Sequence, residues 1–176
     1  MNVRVAELKG LLGGAVGRPK LAVAESLTGG RLQAFITEFS GASEFFLGGL
    51  TAYSLEQKTK LLGVEAAHAA EVHGVSARVA GEMAVGACRL FGAGLAVATT
   101  GYAEPAPARG VPAPFAWIAI ARAGAVERCW RIECPRATRT EAQAQVAEAA
   151  LSGLVELLRG QPTGGRDVTA APRGCT

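Results

Sequence analysis

Apolar positions along this chain recur with two spacings, and the segments carrying them alternate. In the first segment Val5, Leu8, Leu11, Leu12 and Ala15 share a helical face, with Arg4, Glu7 and Lys9 largely outside it. That spacing predicts an amphipathic N-terminal helix. Leu21–Glu25 (LAVAE) is a short, unbroken apolar run of the kind a buried strand carries, and the turn SLTGG separates it from a helical stretch over Arg31–Phe39. Ser54-Leu55-Glu56-Gln57 has capping-box spacing. Ser54 is therefore expected to open a helix and Gln57 to reach back to it. Leu61 and Leu62 then point inward, and Gly63 supplies the left-handed stop. Tyr53 precedes the cap, and Lys58 lies just beyond the first turn.

Ser76 is expected to cap a second such helix, with Val79, Met83, Ala87, Leu90 and Phe91 as its apolar stripe and Gly92 as its end. Leu95–Thr100 (LAVATT) repeats the buried-strand pattern before Gly101. After a Pro/Ala-rich loop, FAWIAIARAG and AVERCWRIEC around Gly124 predict an antiparallel pair, with Val126, Arg128, Trp130 and Ile132 on one face. Thr138–Glu141 is another capping box, opening a helix to about Arg159 with Val146, Ala150, Leu154 and Leu157 inward. The chain from Gly160 onward is rich in Gly, Pro and Thr and is expected to be a disordered tail, leaving one domain over 1–159. Strands interleaved with helices predict a three-layer α/β/α sandwich. The late strand pair makes its sheet mixed.

Composition narrows the function. The 176 residues carry a formal charge of +3, with Lys and Arg scattered and not striped. A nucleic-acid partner is not expected. No apolar run approaches the roughly 20 residues that span a bilayer, and charges interrupt the N-terminal stretch where a signal peptide has none. A membrane partner is likewise not expected. The four cysteines are irregularly spaced, as reduced thiols of a cytoplasmic protein would be. His68 and His73 are five apart, which is not the helical spacing of paired zinc ligands. They read as surface or helix-end residues. A metal site is not expected.

Two constellations can carry chemistry. In AESLTGG a serine follows a buried strand, which places it at the carboxyl edge of the sheet where open α/β folds collect ligands. Gly29 and Gly30 allow close approach, and the N–H groups of the following helix favour an anion. The same residues also read as a plain strand-to-helix turn capped by Ser26 or Thr28. In the second, Tyr53 beside Lys58 is ordinary packing unless the lysine is dry. A desolvated lysine loses its proton easily and can act as base toward a serine hydroxyl.

These motifs resemble the CinA C-terminal domain family. AESLTGG is similar to its Glu-Ser-x-Thr-Gly-Gly signature. GASEFFLGGLTAYSLEQKTKLLGV is similar to the segment with Gly-Ala-Ser, Gly-Gly, a Tyr, a Lys five residues later and Leu-Leu-Gly-Val. HGVSARVAGEMAVGA and LAVATTG continue the likeness, which covers about 5–101 well and the last helix more loosely. The resemblance implies an amidohydrolase that deamidates nicotinamide mononucleotide to nicotinate mononucleotide and ammonia, needing neither a metal nor an organic cofactor. It implies Ser26, Lys58 and Tyr53 as catalytic, and Thr28, Gly29, Gly30, Ser43, Thr100, Gly101 and Arg139 as substrate-binding. It also implies a stand-alone, divergent version. After the Thr-Gly turn the family usually continues Ala-Gly-Pro-Gly-Gly, whereas this chain has TGYAEPAPARGVPAPFAW. A carboxylate at Glu104 opposes a phosphate unless Arg109 neutralises it. The alternative expectation is a CinA-like paralogue with lost or altered activity, acting as a small-ligand or partner-binding protein. A homo-oligomer is expected on the general habit of small α/β enzymes.

Overall fold

Side-chain size alternates along the central strands, and that alternation decides which helices lie on which face. A computed structural model describes residues 3–13 and 17–160. In chain order its elements are α1 (Val3–Leu12), β1 (Leu21–Glu25), α2 (Arg31–Thr37), β2 (Phe46–Thr51), α3 (Leu55–Leu62), α4 (Ala66–Glu71), α5 (Ala77–Phe91), β3 (Leu95–Tyr102), β4 (Phe115–Arg122), β5 (Ala125–Glu133) and α6 (Arg139–Leu158). The sheet order is β2-β1-β3-β4-β5. β1 pairs parallel with β2 and β3, while β3–β4 and β4–β5 are antiparallel. The sheet is therefore mixed, with helices on both faces. Ala15 and residues 161–176, the latter expected to be a disordered tail, lie outside the described residues.

On one face Leu21, Val23, Leu95, Val97, Ile118 and Ile120 pack against α1, α2 and α6. On the other, the intervening Ala22, Ala24, Ala96, Ala98, Ala119 and Ala121 meet α3, α4 and α5. Strands covered on both sides lose the polar half of the usual alternation. What remains is large against small, and the small face lets α5 lie close. The same closeness recurs one layer out: a Cβ on Gly86 of α5 would lie 2.0 Å from the Leu62 carbonyl oxygen of α3.

Helix ends follow their capping chemistry. Thr138 and Glu141 form the complete capping box, with the Thr138 N–H donating to Glu141 Oε2 at 2.8 Å. Ser54 accepts from the Gln57 N–H at 3.3 Å, but no return bond from the Gln57 side chain completes a box. Ser76 accepts from the Val79 N–H at 3.1 Å. Gly63 and Gly92 close α3 and α5 with φ of 70° and 63°. Leu61 and Leu90 were expected inward but are 39% and 48% exposed.

One strand goes unread in the sequence and one expectation fails, both for backbone reasons. β2 is not among the strands read from the sequence, its apolar run FLGGLT being interrupted by two glycines. Its glycines are needed where they stand: Gly48 has φ 145°, and a Cβ on Gly49 would lie 2.3 Å from Val23 Cγ2. The shared face of Val126, Arg128, Trp130 and Ile132 is broken by a bulge, since Ile120 pairs with Arg128 but Ala121 pairs with Val126. One extra residue reverses the side of everything before it. Val126 consequently lies beside Gly81 of α5, while Trp130 joins the α6 face.

The close approach of α3 to α5 predicts that Gly86→Ala lowers unfolding free energy by about 2 kcal/mol through overpacking. A Cβ on Gly10 of α1 meets nothing within 4 Å, so Gly10→Ala should instead raise it by about 0.5–1 kcal/mol. Urea unfolding of both variants checks the pair. Equal effects would remove the proposed packing constraint.

Candidate active site

β1 and β3 run parallel, so their carboxyl ends open on one edge of the sheet. A cavity of about 300 Å³ lies there. Ser26, the first residue past β1, reaches it from below and is 5% exposed. The turn beneath Ser26 is pinned by two backbone bonds, Gly29 N–H to Ser26 O and Arg31 N–H to Thr28 O, both 3.2 Å. The hydroxyls of Thr28 and Thr99 meet at 2.8 Å in the core and tie this turn to β3.

Lys58 enters from α3. It is 3% exposed, on a helix whose other long polar residues face outward. Its Nζ donates to the Gly74 carbonyl at 3.1 Å and to Thr100 Oγ1 at 3.0 Å. Thr100 Oγ1 in turn donates to the same Gly74 carbonyl at 2.6 Å. Loss of water depresses the amine from 10.5 to about 8. Two of its hydrogen positions are committed to neutral acceptors, so its remaining tetrahedral direction carries a proton when charged and a lone pair when neutral. An amine that is neutral for an appreciable fraction of the time near pH 8 can act as a base in that direction.

Tyr53, just before the α3 cap, is 60% exposed and lines the cavity. Arg139 Nη2 donates to its hydroxyl at 2.7 Å, and Nη1 donates to Glu104 Oε1 at 2.7 Å. The phenol therefore accepts from Arg139 and keeps its own proton to donate. Arg109 and His73 complete the rim. His73 has φ 52° and Gly74 φ 73°. These two left-handed residues end α4 and set the Gly74 carbonyl toward Lys58. A Cβ on Gly74 would lie 3.1 Å from Nζ.

The sequence profile of the CinA C-terminal domain matches residues 15–158. The chain belongs to the CinA C-terminal domain family. The CinA-like protein of Mycolicibacterium vanbaalenii is 42% identical over 149 residues, spanning 82% of this chain and 33% of that one. A CinA-like protein of Citrifermentans bemidjiense is 51% identical over 85 residues, 48% of this chain and 20% of its own length. The chain thus spans a third or less of the curated relatives it matches. Among solved structures, the competence damage-inducible protein A of Klebsiella pneumoniae subsp. pneumoniae superposes with TM-score 0.82 at 32% identity, covering 90% of this chain and 96% of that one. The CinA superfamily protein KP700603 of Klebsiella pneumoniae gives TM-score 0.79 at 31% identity, with the same coverage.

In this CinA domain the residues singled out from the sequence divide into two groups. Ser26, Tyr53, Lys58, Gly101 and Arg139 line the one cavity, and Thr100 stands directly behind Lys58. Thr28 is fully buried against Thr99, and neither Gly29 nor Gly30 lines the cavity. Ser43 is exposed on the short turn Ala42–Glu44 ahead of β2, at the opposite edge of the sheet.

The α2 amino terminus, expected to attract a ligand's anion, is already occupied. The buried Glu25 carboxylate accepts from the N–H groups of Gly30, Leu32 and Gln33 at 3.0–3.1 Å. His73 and Gly74 were not singled out for the site, and Arg109, named only as the residue that would neutralise Glu104, leaves that place to Arg139. The adjacent His-Gly was the available signal, since it marks a helix end with special backbone angles. His68 instead meets Ser76 Oγ at 3.0 Å. Among the described residues no cluster of three His, Cys, Asp or Glu could hold a metal, and no helix is long and apolar enough to cross a membrane. Cys88, Cys129 and Cys134 are unpaired, and burial pushes the Cys129 thiol up to about 11.

The depressed amine carries a stability signature. Folded Lys58 releases its proton near 8 and unfolded lysine near 10.5, so the unfolded chain binds more protons between those values. Stability must then rise with pH across that window, and the cost of burying the cation is complete below about pH 8. Relative to Lys58→Met, the wild-type chain should gain about 2 kcal/mol between pH 8 and 10, read from urea unfolding at several pH values. A flat or falling difference would show that the amine is not desolvated.

Proposed function

We propose that this domain is an amidohydrolase that releases ammonia from the carboxamide of nicotinamide mononucleotide, giving nicotinate mononucleotide. One observation carries the reading: a lysine amine held near 8 shares a cavity with a buried serine at the carboxyl edge of the sheet. That is the nucleophile-and-base pairing in its Ser–Lys form. A cavity of about 300 Å³ is at the small end of ligand sites. It suits a pyridine carboxamide with its sugar toward the mouth.

Ser26 Oγ attacks the amide carbon while its proton passes to the neutral Lys58 amine. Lys58 rests on Thr100 and Gly74 and not on Ser26, so transfer uses its free direction, directly or through one water. The carbonyl oxygen becomes negative. The Leu27 N–H is next to the nucleophile and has no protein acceptor among the described residues. It is a free backbone donor for that charge. Collapse breaks the carbon–nitrogen bond, and ammonia departs with the proton from Lys58, relayed by the Tyr53 hydroxyl. Water then hydrolyses the acyl-serine with Lys58 again as base.

Ammonia release from the mononucleotide should rise with pH and level off above about 8, following the neutral amine. Ser26→Ala and Lys58→Ala should each lower kcat/KM by about 10³-fold or more, and Tyr53→Phe by roughly tenfold. A folded protein at high concentration that releases no ammonia would end the reading. Thermal stabilisation by the mononucleotide without turnover would favour the alternative, a small-ligand-binding paralogue.

A further inference from the structure

At the mouth of the cavity both terminal nitrogens of the Arg139 guanidinium are engaged from within the chain. Nη1 meets Glu104 Oε1 and Nη2 meets the Tyr53 hydroxyl, each at 2.7 Å. A guanidinium at the rim of a nucleotide-sized cavity has the fork geometry that takes up a phosphate. Here one arm of the fork already holds a carboxylate and the other a phenol. Glu104 stands on the loop after β3, where its side chain is 60% exposed and that of Arg139 44%. The second rim cation, Arg109, lies over the Tyr102 ring at 6.0 Å and makes no ion pair with Glu104. The α2 amino terminus offers no substitute, because Glu25 fills it.

We propose that Glu104 is a specificity-determining residue: it occupies Arg139 as an internal stand-in for a ligand's phosphate and disfavours phosphomonoesters relative to phosphate-free amides of the same shape. A dianion seating on Arg139 must displace the carboxylate and then remain near it. An uncharged sugar alcohol at the same place need do neither. The site is thereby biased toward amides of nucleoside type over nucleotide type. This inference takes its substrate frame from the amidohydrolase reading, but its test does not require turnover.

The test is calorimetric binding of nicotinamide mononucleotide and nicotinamide riboside to the full chain in a Ser26→Ala background, which prevents hydrolysis during titration. Glu104→Gln removes the charge, and Glu104→Gly removes the side chain as well. Both should tighten the mononucleotide about tenfold and shift the riboside by less than about twofold, as expected for one charge a few ångström from a dianion. Glu127→Gln makes the same charge change near the hairpin at the far end of the sheet, where Glu127 pairs with Arg122. It should move neither ligand. Because Glu104 is exposed, the variants should fold, which thermal unfolding verifies. Equal shifts for both ligands, no shift, or binding of neither ligand to any of the proteins would overturn the proposal. Ammonia assays on the Ser26-containing proteins separate the two claims: a shifted binding ratio without ammonia release sinks the amidohydrolase reading alone, whereas ammonia release with an unchanged ratio sinks the role of Glu104 alone.

Discussion

The arrangement depends on keeping one amine dry while giving it two neutral hydrogen-bond acceptors. A charged ammonium without water is unstable by several kcal/mol. Bonds to the Gly74 carbonyl and Thr100 hydroxyl recover only part of that. The remaining deficit appears as the fall from 10.5 to about 8, worth about 3 kcal/mol. A carboxylate in place of Thr100 would have stabilised the ammonium and raised the pKa instead. The choice of a hydroxyl and a carbonyl over a carboxylate is what leaves the Lys58 amine easily deprotonated. Three elements must converge for it: α3 supplies the amine, β3 the threonine, and the left-handed end of α4 the carbonyl.

Much of this was legible in the chain. The buried runs LAVAE and LAVATT, the caps at Ser54, Ser76 and Thr138 and the stops at Gly63 and Gly92 depend on local chemistry, and they stand where local chemistry puts them. What escaped depends on contacts between segments. β2 is hidden because Gly48 and Gly49 answer to Phe91 and Val23, which are distant in sequence. Val126 changes face through a bulge that no periodicity announces. Ser26, Tyr53 and Lys58 were named through a family likeness, but spacing alone left both site and plain turn open. Only the fold brings α3 and β1 to one cavity.

Two threonines show how one strand serves both faces. Thr99 and Thr100 are adjacent on β3 and must point to opposite sides of the sheet. Thr99 takes Thr28 and fixes the turn that presents Ser26, while Thr100 takes Lys58. Ser26 and Lys58 are thus referenced to consecutive residues of a single strand. That is a shorter mechanical path than their 32-residue separation in sequence suggests. A strand buried on both faces is a stiff reference, so the relative position of the two groups is set by the core and not by loops.

The two carboxylates near the site act in opposite ways, and burial explains the contrast. Glu25 is fully buried and accepts three backbone N–H bonds. Removing that partner would strand both the donors and the helix terminus, so no ligand can compete for the place. Glu104 makes one close ion pair in water. An exposed pair of that kind is worth only about 0–1 kcal/mol, so an incoming anion can exchange with it at modest cost. The same side-chain chemistry therefore closes one anion position permanently and leaves the other conditional. The proposed role of Glu104 in recognition rests on the conditional one, and Arg139 is the guanidinium that also touches Tyr53. Whatever displaces Glu104 from Arg139 also changes the environment of the Tyr53 phenol, so under the proposed function the choice of ligand would be coupled to the chemistry.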